Sequence, residues 1–117
     1  MIQLVEKRGR IKITLSAYRV GDDLCVLLTG GDTPHVGALT AASQTMEPKS
    51  IVFDTHKEYY VTEMAAGHLR KVFMGNVVVC CGIHLDGIDK LEIETVMKLA
   101  EKMTLELCAR LKNENGE

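Results

Sequence analysis

Three of the four histidines in this 117-residue chain lie in short polar segments, each with a carboxylate nearby. The three pairs are Asp32 with His35, His56 with Glu58, and His84 with Asp86. Imidazole and carboxylate groups together bind zinc, manganese or iron, and His35, His56 and His84 would leave such a metal an open coordination position. The same imidazoles suit a phosphate, because they donate hydrogen bonds to its oxygens. A divalent ion that bridges the histidines to a phosphate would satisfy both chemistries, so both stay open.

The first of these segments, residues 29–37, joins two predicted strands and concentrates unusual residues. Gly30 and Gly31 can adopt positive φ and leave backbone amides uncovered, so a ligand could approach the main chain closely. Pro34 fixes its own φ and restricts the residue before it, which would hold His35 in a defined direction. An ordinary wide hairpin loop is the alternative for this segment taken alone.

The second segment is interpreted as the start of a helix. Thr55 and Glu58 fit a capping box, with the threonine at the N-cap and the glutamate three residues later. The free amides and the positive end of such a helix would favour an anion, and His56 and Lys57 would add donors or charge. Glu58 would then serve the capping box rather than a ligand. Every helix has such an end, so this signal alone is weak.

The third segment is a polar loop after a predicted strand, and it contains His84 and Asp86. His68, by contrast, falls on the apolar face of the first predicted helix and is interpreted as a hydrogen-bonded core or edge residue. The sequence has no His-x-x-x-His or Cys-x-x-Cys spacing, so a metal site depends on whether the distant segments converge. A Gly-x-Ser-x-Gly elbow is also missing, and nucleophilic catalysis therefore has little support.

The four cysteines are predicted to be buried thiols. Cys80 and Cys81 are adjacent in a predicted strand, so they point to opposite faces and are poor partners for each other or for one metal. Cys25 and Cys108 lie in apolar contexts. This usage fits a cytoplasmic protein.

Composition excludes several classes of protein. Hydrophobic residues make up 46% of the chain, a normal value for a globular protein, and the length suits one domain over residues 1–117. The net charge of −2 and the 4% aromatic content argue against nucleic-acid binding. No apolar run is long enough for a membrane span, and the N-terminus has no signal-peptide core, so a cytoplasmic location is expected.

Hydrophobic periodicity predicts strands followed by a helix, a strand and a second helix. The predicted strands cover residues 2–7, 10–20, 24–29, 36–43, 51–53 and 76–82, and the helices run from 55 to about 75 and from 89 to about 111. Short links favour an antiparallel meander for the first five strands. The fold class is therefore α+β, with two layers and both helices on one face of a mostly antiparallel sheet. The small residues of the fourth strand and the methionines of the second helix would suit a homodimer, although core filling is the favoured explanation of the methionines.

The three polar segments together resemble the LpdD family of prenylated-flavin chaperones, which accompany UbiD-type aromatic acid decarboxylases. The resemblance covers nearly the whole chain and is carried by the motifs GGDTPHVGA (30–38), HKE (56–58) and GIHLD (82–86). It implies a dimeric, non-enzymatic carrier with a fold related to proteasome assembly chaperones. Such a carrier would take prenylated FMN made by a flavin prenyltransferase and deliver it to the decarboxylase. The residues that would line the flavin-phosphate site are Gly30, Gly31, Asp32, Thr33, His35, Gly37, His56, Lys57, Glu58, His84 and Asp86.

Two other functions remain open from the sequence. One is a metal-dependent enzyme that acts on a small phosphorylated or acyl substrate. The other is a protein-assembly chaperone without a small ligand, which would be favoured if the histidine segments lay far apart in the fold.

Overall fold

The computed structural model describes residues 1–53 and 58–114. It contains one six-stranded sheet and two helices, so the predicted α+β class is confirmed. The elements are β1 (Ile2–Arg8), β2 (Ile11–Val20), β3 (Asp23–Gly31), β4 (Ala38–Ala42), β5 (Lys49–Val52), α1 (Tyr59–Val72), β6 (Val77–His84) and α2 (Lys90–Glu114). Neither described helix is long and apolar enough to cross a membrane.

The sheet is mostly antiparallel, but its strand order is β1-β2-β3-β6-β4-β5. The last strand, β6, enters between β3 and β4, and it runs parallel to β3 and antiparallel to β4. The prediction of a simple meander for the first five strands was therefore wrong at one point, because β3 does not pair with β4. The physical reason is the apolar run Val77–Cys81, which is best buried at the centre of a sheet. The helix α1 provides the long connection that brings β6 there.

Alternation of side chains gives the sheet two different faces. One face packs against the helices and forms the core with them. Leu15, Leu28 and Val79 of this face are 0% exposed, as are Leu69 of α1 and Leu107 of α2. Each such side chain contributes about 1.5–3 kcal/mol through its burial.

Asp89 and Glu92 have the spacing of a capping box in the sequence, and the start of α2 confirms this prediction. The amide of Asp89 donates to Glu92 at 3.2 Å, and the amide of Glu92 donates to Oδ1 of Asp89 at 2.8 Å. Arg10, in the turn between β1 and β2, donates two further hydrogen bonds to the carboxylate of Glu92, at 2.6 and 2.8 Å. These bonds, led by that from Arg10, lower the pKa of Glu92 to about 2. This contact joins the turn between β1 and β2 to the first turn of α2.

Helix α1 begins later than the sequence suggested. Its first residue is Tyr59 and its N-cap is Glu58, so Glu58 is not the third residue of a helix capped by Thr55. Thr55 itself lies outside the described residues. The other helix boundary predictions hold to within a few residues, since α1 ends at Val72 and α2 at Glu114.

The cysteines follow the prediction in part. All four lie in the described part of the chain and are free thiols, but Cys25 and Cys80 are half-buried rather than buried. They lie on the sheet face that points away from the helices, whereas Cys81 lies on the helix-facing side. Burial, together with the nearby Glu58 carboxylate, raises the pKa of the Cys81 thiol far above its ordinary value.

Candidate functional site

The polar segments meet at the end of the sheet where the parallel strands β3 and β6 have their carboxyl ends. We call this end, with Gly31, Asp32, His84 and Asp86, the polar edge. Gly31 and His84 are register partners there. The chain then leaves β3 and crosses the end of β6 to form β4 on its other side; residues 32–37 are called the crossing loop. The amide of Asp32 donates to the carbonyl of His84 at 2.6 Å, and the amide of Gly37 donates to that of Cys81 at 2.9 Å. Ligands in sheets with parallel strands commonly bind at such carboxyl ends, next to a chain crossing.

Two glycines allow the crossing loop to lie directly on β6. A Cβ on Gly82 would stand 1.7 Å from the carbonyl oxygen of His35, and one on Gly31 would stand 2.0 Å from that of His84. Gly31 also has a φ of +75°, which other residues rarely adopt. Gly30 and Gly31 thus belong to β3 itself and not to an open hairpin loop, which corrects the interpretation of residues 29–37. They serve close approach of backbone to backbone.

Glu58 joins the helix layer to the crossing loop. The residue is 8% exposed, and Oε1 accepts a hydrogen bond from the amide of Ile83 at 3.0 Å. The same oxygen lies 3.3 Å from Nε2 of His35. Gly37 makes room for this carboxylate, because a Cβ there would stand 1.4 Å from Oε2. A buried carboxylate is stable in such a place when hydrogen bonds and an opposite charge compensate its desolvation.

The ring of His35 is held at both nitrogens. Nδ1 lies 3.1 Å from the carbonyl oxygen of Thr33, while Nε2 faces Glu58. Since both neighbours are acceptors, both contacts are hydrogen bonds only when the imidazole is protonated. The loop presents His35 toward the start of α1, and the role of Pro34 in fixing that direction stays a prediction.

His84 and the two aspartates form a second cluster beside the first. Nε2 of His84 lies 3.1 Å from Oδ1 of Asp86, and the amide of Asp86 donates to Oδ2 of Asp32 at 3.2 Å. The first and third polar segments are therefore in direct contact. His84 is the last residue of β6, not a loop residue as predicted.

Arg10 is a neighbour of the site that the sequence did not indicate. Antiparallel pairing of β2 with β3 sets Ile13 opposite Gly30, which brings the start of β2 to the same edge. The carboxylates of Glu92, Asp32 and Asp89 all raise the pKa of Arg10, the first through its hydrogen bonds. The predicted pairing of β2 with β3 could have placed Arg10 at the site. In an antiparallel pair, the residues before the first strand and those after the second lie at the same end of the sheet.

The structure thus gathers most of the predicted site residues at one edge of the sheet. They are Gly30, Gly31, Asp32, Thr33, His35, Gly37, Glu58, His84 and Asp86. His56 and Lys57 lie outside the described residues, so their part in the site stays a prediction. His68 is separate, as expected: its Nε2 lies 3.2 Å from Glu101 of α2.

The described residues hold no complete set of metal ligands. Within residues 1–53 and 58–114 no three histidine, cysteine or acidic side chains are arranged to hold an ion. His35 and His84 each have a carboxylate at Nε2 instead. The predicted site of three histidines includes His56 and remains a prediction.

The fold and the site define a two-layer α+β protein with a cluster of polar side chains where β3 and β6 end. The sequence matches the family described as the prenylated flavin chaperone LpdD-like domain over residues 7–112, and the chain belongs to this family. It is similar to Protein LpdD of Lactiplantibacillus plantarum, with 25% identity over 97 residues, which cover 79% of this chain and 71% of that protein. The resemblance seen in the three motifs is thereby confirmed.

Proposed function

We propose that this chaperone is a non-enzymatic carrier of prenylated FMN. It receives the flavin after synthesis by a flavin prenyltransferase and delivers it to a UbiD-type aromatic acid decarboxylase. The observation that carries the proposal is the convergence of the crossing loop, the end of β6 and Glu58 at one edge of the sheet. The name of the family, which refers to a prenylated flavin, supports the choice of ligand.

The polar edge suits the phosphate end of such a ligand. His35 and His84 can donate hydrogen bonds to phosphate oxygens when the ligand replaces one of the acceptors that now face their ring nitrogens. Asp32 and Asp86 would repel an uncompensated phosphate. We therefore include a divalent ion as a companion of the phosphate, with imidazole and carboxylate groups at this edge as its candidate ligands.

The proposed carrier acts as a homodimer, and its sheet supplies a suitable surface. The face of the sheet opposite the helices carries half-buried apolar side chains at its centre; we call it the open face. Its central residues are Cys25, Leu27, Leu39, Ala41, Val78 and Cys80. Neither of the two helices in the described structure packs on it. An uncovered apolar area of this kind is typical of protein interfaces.

Anaerobic titration with prenylated FMN, with and without Mg²⁺ or Mn²⁺, tests the carrier function. We expect saturable binding and transfer of the flavin to an apo decarboxylase, which then becomes active. His35→Ala should weaken binding at least tenfold, because the substitution removes the imidazole that faces Glu58. His68→Ala is the matched control, since His68 contacts α2 and not the crossing loop.

Two results would oppose the carrier function. Failure of the wild-type protein to bind prenylated FMN under all metal conditions would contradict it. Chemical conversion of the flavin by the chaperone alone would contradict its non-enzymatic character.

A further inference from the structure

Aromatic residues are concentrated beside the polar edge. The chain has only two phenylalanines and three tyrosines, and three of these five are Phe53, Tyr59 and Tyr60. Phe53 is 62% exposed and Tyr60 is 50% exposed, while Val36 within the crossing loop is 52% exposed. Isolated exposed apolar residues are common, but a group of them around a polar site calls for an explanation.

Phe53 is attached directly to the crossing loop. Its amide donates a hydrogen bond to the carbonyl of Gly37 at 2.8 Å. It follows β5, whose last residue, Val52, is the register partner of Ala38 at the start of β4. Phe53 therefore lies one residue beyond the sheet, at the end where the crossing loop lies.

Tyr60 borders the same place from the helix layer. It precedes Glu63 by three residues, so the two share one side of α1. Glu63 accepts a hydrogen bond from Ser50 of β5 at 2.6 Å, which shows that this side of α1 faces β5. Tyr60 lies in the first turn of α1, two residues after the N-cap Glu58, and therefore at the end of the helix that adjoins the crossing loop. Phe53 and Tyr60 thus approach the polar edge from the sheet layer and from the helix layer.

The neighbour of Tyr60 limits its movement. The ring centroids of Tyr59 and Tyr60 are 4.2 Å apart, with an angle of 34° between the ring planes. A hydrogen bond between the two hydroxyl groups raises the pKa of Tyr59. A paired, partly fixed ring loses less entropy when a ligand packs on it.

We propose that Phe53 and Tyr60 form the binding surface for the planar ring system of the flavin, while the crossing loop and the end of β6 hold its phosphate end. The inference rests on the carrier function. It names the residues that contact the flavin ring system, for which the polar residues of the site offer no apolar surface. Contact between aromatic rings and a heteroaromatic plane is worth about 1–3 kcal/mol per ring in nucleic-acid complexes, which corresponds to about 5- to 150-fold in affinity.

The test compares Tyr60→Leu and Phe53→Leu with the wild-type protein in anaerobic titrations with prenylated FMN. Each variant should weaken binding about tenfold, whereas Tyr60→Phe should bind like the wild type because it keeps the ring. Met74→Ala is the control, because Met74 is an exposed apolar residue beyond the opposite end of α1. Thermal unfolding should be nearly unchanged in all four variants, since the substituted side chains are exposed.

A second readout separates the two halves of the ligand. Quenching of flavin fluorescence on binding should be reduced in Tyr60→Leu and retained in His35→Ala at saturating ligand. Unchanged affinity and unchanged quenching in both leucine variants, with normal binding by the wild type, would overturn the ring assignment and leave the carrier function intact. Absence of binding by the wild-type protein would overturn both.

Discussion

Oε1 of Glu58 lies 3.3 Å from Nε2 of His35, so the residue that caps α1 is tied to the loop that crosses the end of β6. The same oxygen accepts the amide hydrogen of Ile83. One carboxylate therefore links a helix, a loop and a strand that are distant in sequence. The pair also sets the direction of the imidazole that we assign to ligand binding.

Substitution of Glu58 should loosen this link. Glu58→Ala should lower the free energy of unfolding by about 1–3 kcal/mol, because the partly buried amide of Ile83 loses its acceptor. Glu58→Gln keeps an oxygen for that amide and should cost less. Urea denaturation measures both, and Glu101→Gln is the control because Glu101 is an exposed glutamate that also faces a histidine. Equal stabilities of wild type and Glu58→Ala would show that the link does not support the fold.

The close contact of the crossing loop with β6 should make Gly82 intolerant of a side chain. Gly82→Ala would place a methyl group 1.7 Å from the carbonyl oxygen of His35 in the present geometry, so the loop must shift. We expect a loss of about 1–3 kcal/mol in unfolding free energy and weaker flavin binding.

A second glycine provides the control for this substitution. A Cβ on Gly67, inside α1, would meet no atom of the described residues within 4 Å. Gly67→Ala should therefore stabilise the protein by about 0.5–1 kcal/mol through helix propensity. If both variants changed stability in the same direction, the assigned contact between the loop and β6 would be wrong.

The contact between Arg10 and Glu92 predicts a dependence of stability on pH. Glu92 has a pKa of about 2 in the folded protein against 4.5 ordinarily, so the contact stabilises the fold above about pH 4.5. This contribution is lost as the pH falls from about 4.5 to about 2. The stability difference between wild type and Glu92→Gln should therefore shrink over that interval.

Unfolding free energies measured at several pH values check this prediction. Glu106→Gln is the control, because Glu106 pairs with Arg110 within one exposed helix. A difference that stayed constant from pH 7 to pH 2 would contradict the role of the Glu92 carboxylate.

The proposed dimer predicts an effect of charge on the open face. Leu39→Glu would bury a carboxylate in the interface and should shift the protein from dimer to monomer, because desolvation of a lone charge is costly. Leu105→Glu is the control, since Leu105 lies on an exposed side of α2. Light scattering after size-exclusion chromatography gives the mass of each variant. A wild-type monomer, or a Leu39→Glu dimer, would argue against this interface.

The sequence by itself determined the element types, the two-layer arrangement and the capping box of α2. These features follow from local periods and short spacings: strand alternation in β2, the apolar stripe of α2, and Asp89 placed three residues before Glu92. It also singled out the residues 30–37 and 82–86, whose glycines and histidines no simple turn requires.

Only the tertiary structure decided that β6 lies between β3 and β4 and that Glu58 reaches His35 and Ile83. It also decided that Arg10 stands at the same edge. These facts depend on contacts between residues far apart in the chain, where hydrophobic periodicity carries no information about which strand is neighbour to which. Burial of the apolar run in β6 selected the strand order, and that order in turn brought the polar segments together.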